Sequence, residues 1–85
     1  MIFISYRPLK MISGQTFIEN LGIHIRQIRE RKNLSQQNLA DMCNSPKSTI
    51  ARIERAEMNT SIKTLVKIAN ALEIKPKELL DFQIK

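Results

Sequence analysis

Hydrophobic positions recur at helical spacing along most of the chain. In the first such segment Leu21, Ile25 and Ile28 stand at i, i+4 and i+7, with polar residues between them. Because an α-helix completes a turn in about 3.6 residues, this spacing places the three side chains on one face. The pattern predicts an amphipathic helix over roughly 18–31. Asn33 would end it, because asparagine tolerates the left-handed conformation at a helix C-terminus.

Two short helical segments follow the first one. Ser35 is a favoured N-cap residue and predicts a helix over 36–43. Pro46 suits the first turn of another helix that ends near Arg55, with Ser45 as the alternative cap. The side chains expected to point inward are Leu39, Ala40, Cys43, Ile50 and Ile53. Helices shorter than about 12 residues are marginal in water, so these two must pack on the others.

Two further helices complete the pattern. A cap at Thr60 or Ser61 predicts a fourth helix that ends at Leu72, and Pro76 predicts the start of a short fifth helix. The residues expected to point inward from the fourth helix are Ile62, Leu65, Ile68, Ala69 and Leu72, and the fifth helix carries Leu79 and Leu80. Five short helices joined by short loops predict a compact all-α domain.

The N-terminal segment has a different character. The stretch "IFISY" predicts a short strand or an extended arm, and Pro8, Ser13 and Gly14 disfavour a helix there. We therefore divide the chain into an arm over residues 1–16 and a helical domain over residues 17–85. Basic residues follow the apolar opening, so we expect no signal peptide. Met1 and Met11 both remain candidate initiators.

Composition narrows the chemistry. A chain of 85 residues predicts one domain. Cys43 is the single cysteine, which excludes an intrachain disulfide and a Cys-rich zinc site and fits the reducing cytoplasm. His24 has no second histidine to complete a metal site, and we expect it to face solvent. Without a paired-carboxylate motif or a phosphate loop, we expect neither an enzyme nor a cofactor.

Positive charge is concentrated in the middle of the chain. The sequence has 14 Lys and Arg against 8 Asp and Glu, a net charge of +6. Between residues 26 and 55 there are seven basic residues and three acidic ones. This excess favours nucleic acid as a partner, and a solvated basic surface is the alternative explanation.

Two short helices separated by a tight turn predict a helix-turn-helix over about 35–55. The major groove of DNA is about 12 Å wide and accepts one α-helix. If the two isoleucines of the second helix point inward, Lys47, Ser48 and Arg52 point outward, where they can reach base edges. Lysine and arginine suit the O6 and N7 acceptors of guanine.

Four short motifs carry a resemblance to a known family. They are "LSQ" at 34–36, "LA" at 39–40, "STIARIE" at 48–54 and "LVKIANAL" at 65–72. In this order and spacing the chain resembles the Cro/C1-type helix-turn-helix family, also called XRE, of phage repressors and bacterial regulators, from Leu21 to about Leu80. The resemblance implies a five-helix, lambda-repressor-like fold.

The same resemblance implies a function. It predicts a sequence-specific transcriptional regulator, acting as a repressor on double-stranded DNA, encoded by a bacterium or phage and found in the cytoplasm at the nucleoid. Two alternatives share the fold: an antitoxin that binds a toxin and autoregulates its operon, and a restriction–modification controller protein. No small-molecule ligand is expected.

The resemblance also implies residue roles. The positions that match base-reading ones are Lys47, Ser48 and Arg52. The positions that match phosphate-contacting ones are Ser35, Gln36, Thr49 and Arg55. Arg29 and Glu54 match a structural ion pair between the first and third helices.

Several positions depart from the family pattern. The family often has glycine where this chain has Asn33, Asn44, Ala56 and Glu73. The two asparagines tolerate the left-handed conformation. Ala56 and Glu73 would be strained in it, so we expect the third and fourth helices to end differently.

The two ends of the chain carry surplus apolar residues. They either pack within the chain or form a homodimer interface, which a palindromic operator with two half-sites would require. The interface candidates are Leu79, Phe82, Ile84, Ile2 and Ile4.

Overall fold

A computed structural model describes residues 11–84. In chain order the helices are α1 (Gly14–Arg31), α2 (Gln36–Met42), α3 (Lys47–Glu54), α4 (Ile62–Ala71) and α5 (Pro76–Leu79). No strand occurs within this part of the chain, and the predicted all-α fold is confirmed. The predicted strand-like arm, with Ile2 and Ile4, lies outside the described residues.

Helix α1 begins earlier than predicted. It starts at Gly14, so residues 14–16, which the sequence pattern assigns to the arm, are helical. The reason is a side-chain cap, because the Ser13 hydroxyl accepts a hydrogen bond from the Thr16 N–H at 3.0 Å. Ser61 caps α4 in the same way through the Thr64 N–H, at 3.2 Å.

One core lies between the helices. Its fully or nearly fully buried members are Leu21, Ile25, Ile28, Leu39, Ala40, Cys43, Ile50, Ile53, Ile68, Ala69, Leu72 and Leu79. Leu79 is only 1% exposed, so its proposed place in a dimer interface is wrong: α5 uses it to pack on the rest of the domain. The inward prediction for Ile62 is also wrong. It is the first residue of α4 and is 78% exposed, beyond the packed face of the helix.

Four helices end in the same backbone conformation. Asn33, Asn44, Ala56 and Glu73 have φ values of 59°, 53°, 60° and 58°. After each, the next residue donates its N–H to a carbonyl in the last turn, as in Glu57 to Arg52 at 2.8 Å and Ile74 to Ala69 at 3.0 Å. This is the Schellman motif. The expectation that α3 and α4 end differently is wrong, because these hydrogen bonds hold Ala56 and Glu73 in the left-handed region.

The C-terminal tail folds back onto α1. The Phe82 ring lies with its centroid 5.0 Å from that of Phe17 and 5.4 Å from that of His24. The His24 Nε2 atom lies 2.9 Å from the backbone carbonyl oxygen of Glu78, to which it donates. His24 is therefore half-buried, and the expectation of a solvent-facing ring is wrong. The hydrogen bond from His24 to Glu78 connects α1 to α5.

Candidate nucleic-acid interface

The apolar sides of α2 and α3 face each other and the core. Leu39 and Ala40 of α2 are buried with Cys43 at its C-cap, and so are Ile50 and Ile53 of α3. The predicted inward residues of both helices are confirmed. Burial raises the pKa of the Cys43 thiol, which suits a small core residue rather than a reactive one.

The turn between the two helices also departs from local expectation. Pro46 occupies the N-cap position of α3 and provides no side-chain hydrogen bond. The alternative cap, Ser45, is wrong, because its hydroxyl donates to the Cys43 carbonyl at 3.2 Å instead. Asn44, in the left-handed conformation, lets the chain reverse here. The turn is thus held by backbone geometry and one hydroxyl.

The outer side of α3 is polar and basic. Lys47, Ser48, Arg52 and Arg55 are all exposed, whereas Thr49 is half-buried. Ser48, Arg52 and Arg55 stand at i, i+4 and i+7, so they share one face of the helix. We call this set of three residues the recognition face. Lys47 lies beside it in the first turn.

A buried ion pair anchors the end of α3 to α1. Arg29 donates from Nε to Glu54 Oε2 at 2.7 Å and from Nη2 to Oε1 at 3.0 Å. Its Nη1 donates to the Leu34 carbonyl at 2.8 Å. The side chains are only 9% and 3% exposed. The hydrogen bond with Glu54 raises the pKa of Arg29. The two hydrogen bonds show that the structure contains the pair that the resemblance implied.

The residues at the start of α2 take part in internal contacts. The Gln36 Nε2 donates to Glu54 Oε1 at 3.0 Å, so the glutamine joins the buried ion pair. The Ser35 hydroxyl accepts from the Asn38 N–H at 2.9 Å, and the Asn38 side chain accepts from the Ser35 N–H at 3.0 Å. This reciprocal capping box begins α2. Ser35 and Gln36 were predicted to contact phosphate. In the free chain both have structural roles.

Sequence reasoning missed one member of this surface. Glu57 accepts two hydrogen bonds from Arg55, from Nε at 2.8 Å and from Nη2 at 3.0 Å. The contact raises the pKa of Arg55 and lowers that of Glu57. Arg55 and Glu57 are two positions apart in the sequence, at the end of α3. Inside a helix, side chains at this spacing point in different directions and do not meet. Ala56, which lies between them in the left-handed conformation, turns the chain so that the two side chains meet.

Other kinds of site find no support in residues 11–84. No group of three His, Cys, Asp or Glu side chains in this region could hold a metal ion. None of the helices described here has the length and apolar character needed to cross a membrane.

Comparison with known proteins gives matches to helix-turn-helix proteins, among them controller proteins and a repressor. A helix-turn-helix family model matches residues 25–79. Control protein C.BamHI from Bacillus amyloliquefaciens is 44% identical over 62 residues, which are 72% of this chain and 76% of that protein. The immunity repressor protein of Bacillus phage phi105 is 41% identical over 54 residues, 64% of this chain and 38% of that protein. The crystal structure of the restriction-modification controller protein C.AhdI from Aeromonas hydrophila superposes with a TM-score of 0.72 at 35% identity, covering 73% of this chain and 94% of that one.

Proposed function

Because this chain belongs to the Cro/C1-type helix-turn-helix family, we propose that it is a sequence-specific DNA-binding regulator of transcription that controls a restriction–modification system. The observation that carries the proposal is the recognition face of α3, polar and basic outside and fixed from inside by buried apolar residues. The likeness to controller proteins supports the choice of regulated system.

The geometry supports a simple mode of binding. Helix α3 enters the major groove while α2 lies across the phosphate backbone and holds the angle between them. Lys47, Ser48 and Arg52 read base edges. Thr49, with the start of α2, approaches the phosphates. Gln36 then has to share its amide between Glu54 and a phosphate, since it already donates to the carboxylate in the free chain.

Regulation follows from occupancy of the operator. A bound protein that overlaps a promoter blocks polymerase, and one placed beside it recruits polymerase. The likeness to a phage immunity repressor supports a second candidate, a repressor of phage genes. Both candidates use the same face of α3, and the genes beside the operator distinguish them.

We propose further that the regulator is a homodimer. Half-sites one helical turn apart, about 34–36 Å, require two copies of α3. With Leu79 in the core, the exposed apolar residues near the C-terminus are Leu80 and Ile84, at 45% and 39%. Ile23 of α1 is exposed as well and lines one groove with Phe82. We call Ile23, Leu80 and Ile84 the tail face, and we propose it as the dimer interface.

Substitution on the recognition face tests the main proposal. A preferred operator is first selected from random duplexes with the full chain. Arg52→Ala is then expected to weaken operator binding by about 1–3 kcal/mol and to relax preference at one base pair. Lys77→Ala removes a positive charge from α5, which packs on α1 and α4, and it should retain the base preference. A wild-type chain that selects no sequence would overturn the proposal.

A further inference from the structure

The geometry points to Glu57 as a specificity-determining residue that holds the Arg55 guanidinium side-on and leaves its other edge free to bind a guanine base. This inference rests on the proposed function, and it changes the role of Arg55 from a phosphate contact to a base contact. Glu57 itself touches no DNA in this arrangement. It acts as a positioning residue for Arg55.

The first step is the count of free donors. A guanidinium group carries five N–H donors in a rigid plane. Glu57 takes one from Nε and one from Nη2. The remaining N–H of Nη2 and one N–H of Nη1 lie along the end of the group, and the other N–H of Nη1 points toward the Cδ side. Two parallel donors on that edge match the O6 and N7 acceptors of guanine.

The second step is the rigidity of the support. Glu57 follows the left-handed Ala56, and its N–H donates to the Arg52 carbonyl at 2.8 Å. The backbone on which Glu57 stands is therefore fixed to the last turn of α3. Both side chains are about half exposed in the free chain, where water weakens an ion pair. DNA that covers α3 would exclude that water and strengthen the pair.

The third step concerns why Arg55 would bind a base rather than a phosphate. Attraction to phosphate depends on unpaired positive charge and on the counterions that it releases. The Arg55–Glu57 pair has no net charge, and its carboxylate would repel a neighbouring phosphate. The acceptors of guanine belong to a neutral base, so a paired arginine can bind them without that repulsion.

The experiment compares Arg55→Ala and Glu57→Gln with the wild-type chain. Each protein is titrated with the selected operator, with its single-base-pair variants and with an unrelated duplex, over a series of salt concentrations. Arg55→Ala should weaken operator binding by about 5- to 150-fold, the range for one bidentate contact to guanine. It should abolish preference at one G·C pair. The double variant Arg55→Ala with Glu57→Gln keeps the pair's net charge of zero, so it should lose the same preference and leave binding to the unrelated duplex nearly unchanged.

Glu57→Gln should have the opposite effect on nonspecific binding. It frees one positive charge, so binding to the unrelated duplex tightens and the slope of log K against log salt steepens by up to about 0.9. Preference at the same G·C pair should fall, because the arginine is no longer oriented. Glu30→Gln is the matched control, since Glu30 accepts from Arg26 at 3.2 Å on the surface of α1. It should leave the base preference at that pair unchanged.

Two results would overturn the inference. The double variant Arg55→Ala with Glu57→Gln could weaken binding equally to every duplex and make the salt slope shallower by about 0.9, which identifies a phosphate contact. Alternatively, Glu57→Gln could retain the full preference at the base pair that Arg55 reads. Both results require a wild-type chain that prefers its operator. A wild-type chain without such a preference would overturn the proposed function instead.

Discussion

At the scale of single residues, two of the helix ends hold backbone strain. Ala56 and Glu73 adopt the left-handed conformation at φ of 60° and 58°. For a residue with a Cβ atom this conformation costs about 1–2 kcal/mol. The hydrogen bonds of the Schellman motif satisfy carbonyls that would otherwise lack partners at the ends of α3 and α4. The strain is therefore tolerated, because the left-handed residue allows the hydrogen bonds that complete each helix end.

Replacing Ala56 with glycine should relieve this strain. We expect Ala56→Gly to raise the free energy of unfolding by about 1 kcal/mol, since glycine enters the left-handed region without a Cβ clash. Urea denaturation followed by circular dichroism measures the change. Ala51→Gly is the control within α3 and should instead lower stability by about 0.5–1 kcal/mol. Destabilisation by both substitutions would contradict the role assigned to the left-handed position.

A glycine elsewhere is required by close packing. A Cβ atom on Gly22 would lie 2.7 Å from the carbonyl oxygens of both Ile53 and Glu54. Gly22→Ala should therefore force α1 away from the end of α3 and lower the free energy of unfolding by about 1–3 kcal/mol. Gly14→Ala, where nothing lies within 4 Å, should have little effect. Thermal unfolding of the two variants measures their stabilities. Equal effects would show that the close approach of α1 to α3 at Gly22 does not affect stability.

At the scale of elements, the helix-turn-helix is positioned by a polar network as well as by the core. Arg29 reaches from α1 to Glu54 on α3, and Gln36 of α2 donates to the same carboxylate. One carboxylate thus joins three helices. Such a group is costly to bury alone, because its charge has lost water. The network fixes the angle at which α3 is presented.

Removing one partner of this network should destabilise the domain strongly. We expect Arg29→Met to lower the free energy of unfolding by about 3–5 kcal/mol, because it strands a buried carboxylate. The double variant with Glu54→Gln should recover part of that loss. Gln36→Ala, which leaves the ion pair intact, should cost only about 0.5–1.5 kcal/mol. A double-variant cycle by urea denaturation measures the coupling, and simple additivity would contradict a shared network.

The sequence allowed the elements to be predicted better than their ends. Apolar spacing was enough to place Leu39, Ile50 and Ile53 inward, because burial of a helix face dominates its energetics. The contact between Arg55 and Glu57 could not be predicted, since it depends on a left-handed residue that local preference disfavours. The prediction for Ile62 failed for a related reason: periodicity does not reveal how far along a helix the neighbouring elements extend.

At the scale of the whole molecule, α1 joins the two proposed binding surfaces. Its Gly22 lies against the end of α3, and its Phe17 and His24 hold the C-terminal tail through Phe82. In a dimer formed through the tail face, the position of the recognition face relative to the interface would therefore be set by one helix of 18 residues, α1. The spacing of the two copies of α3 would then depend on how the tail packs on α1.

Charge on the tail face should separate dimer formation from DNA reading. Leu80→Asp and Ile84→Asp each place a carboxylate on an exposed apolar position, so the interface would have to bury an unpaired charge. We expect sedimentation equilibrium to show a shift from dimer to monomer. Binding to an operator with two half-sites should weaken by at least tenfold, about 1.4 kcal/mol, whereas binding to a single half-site should be unchanged. Ile62→Asp, on the exposed start of α4, is the matched control and should remain dimeric. If only the Ile62 variant becomes monomeric, the interface lies on α4, and the path from the tail through α1 to α3 has no part in setting the spacing of the half-sites.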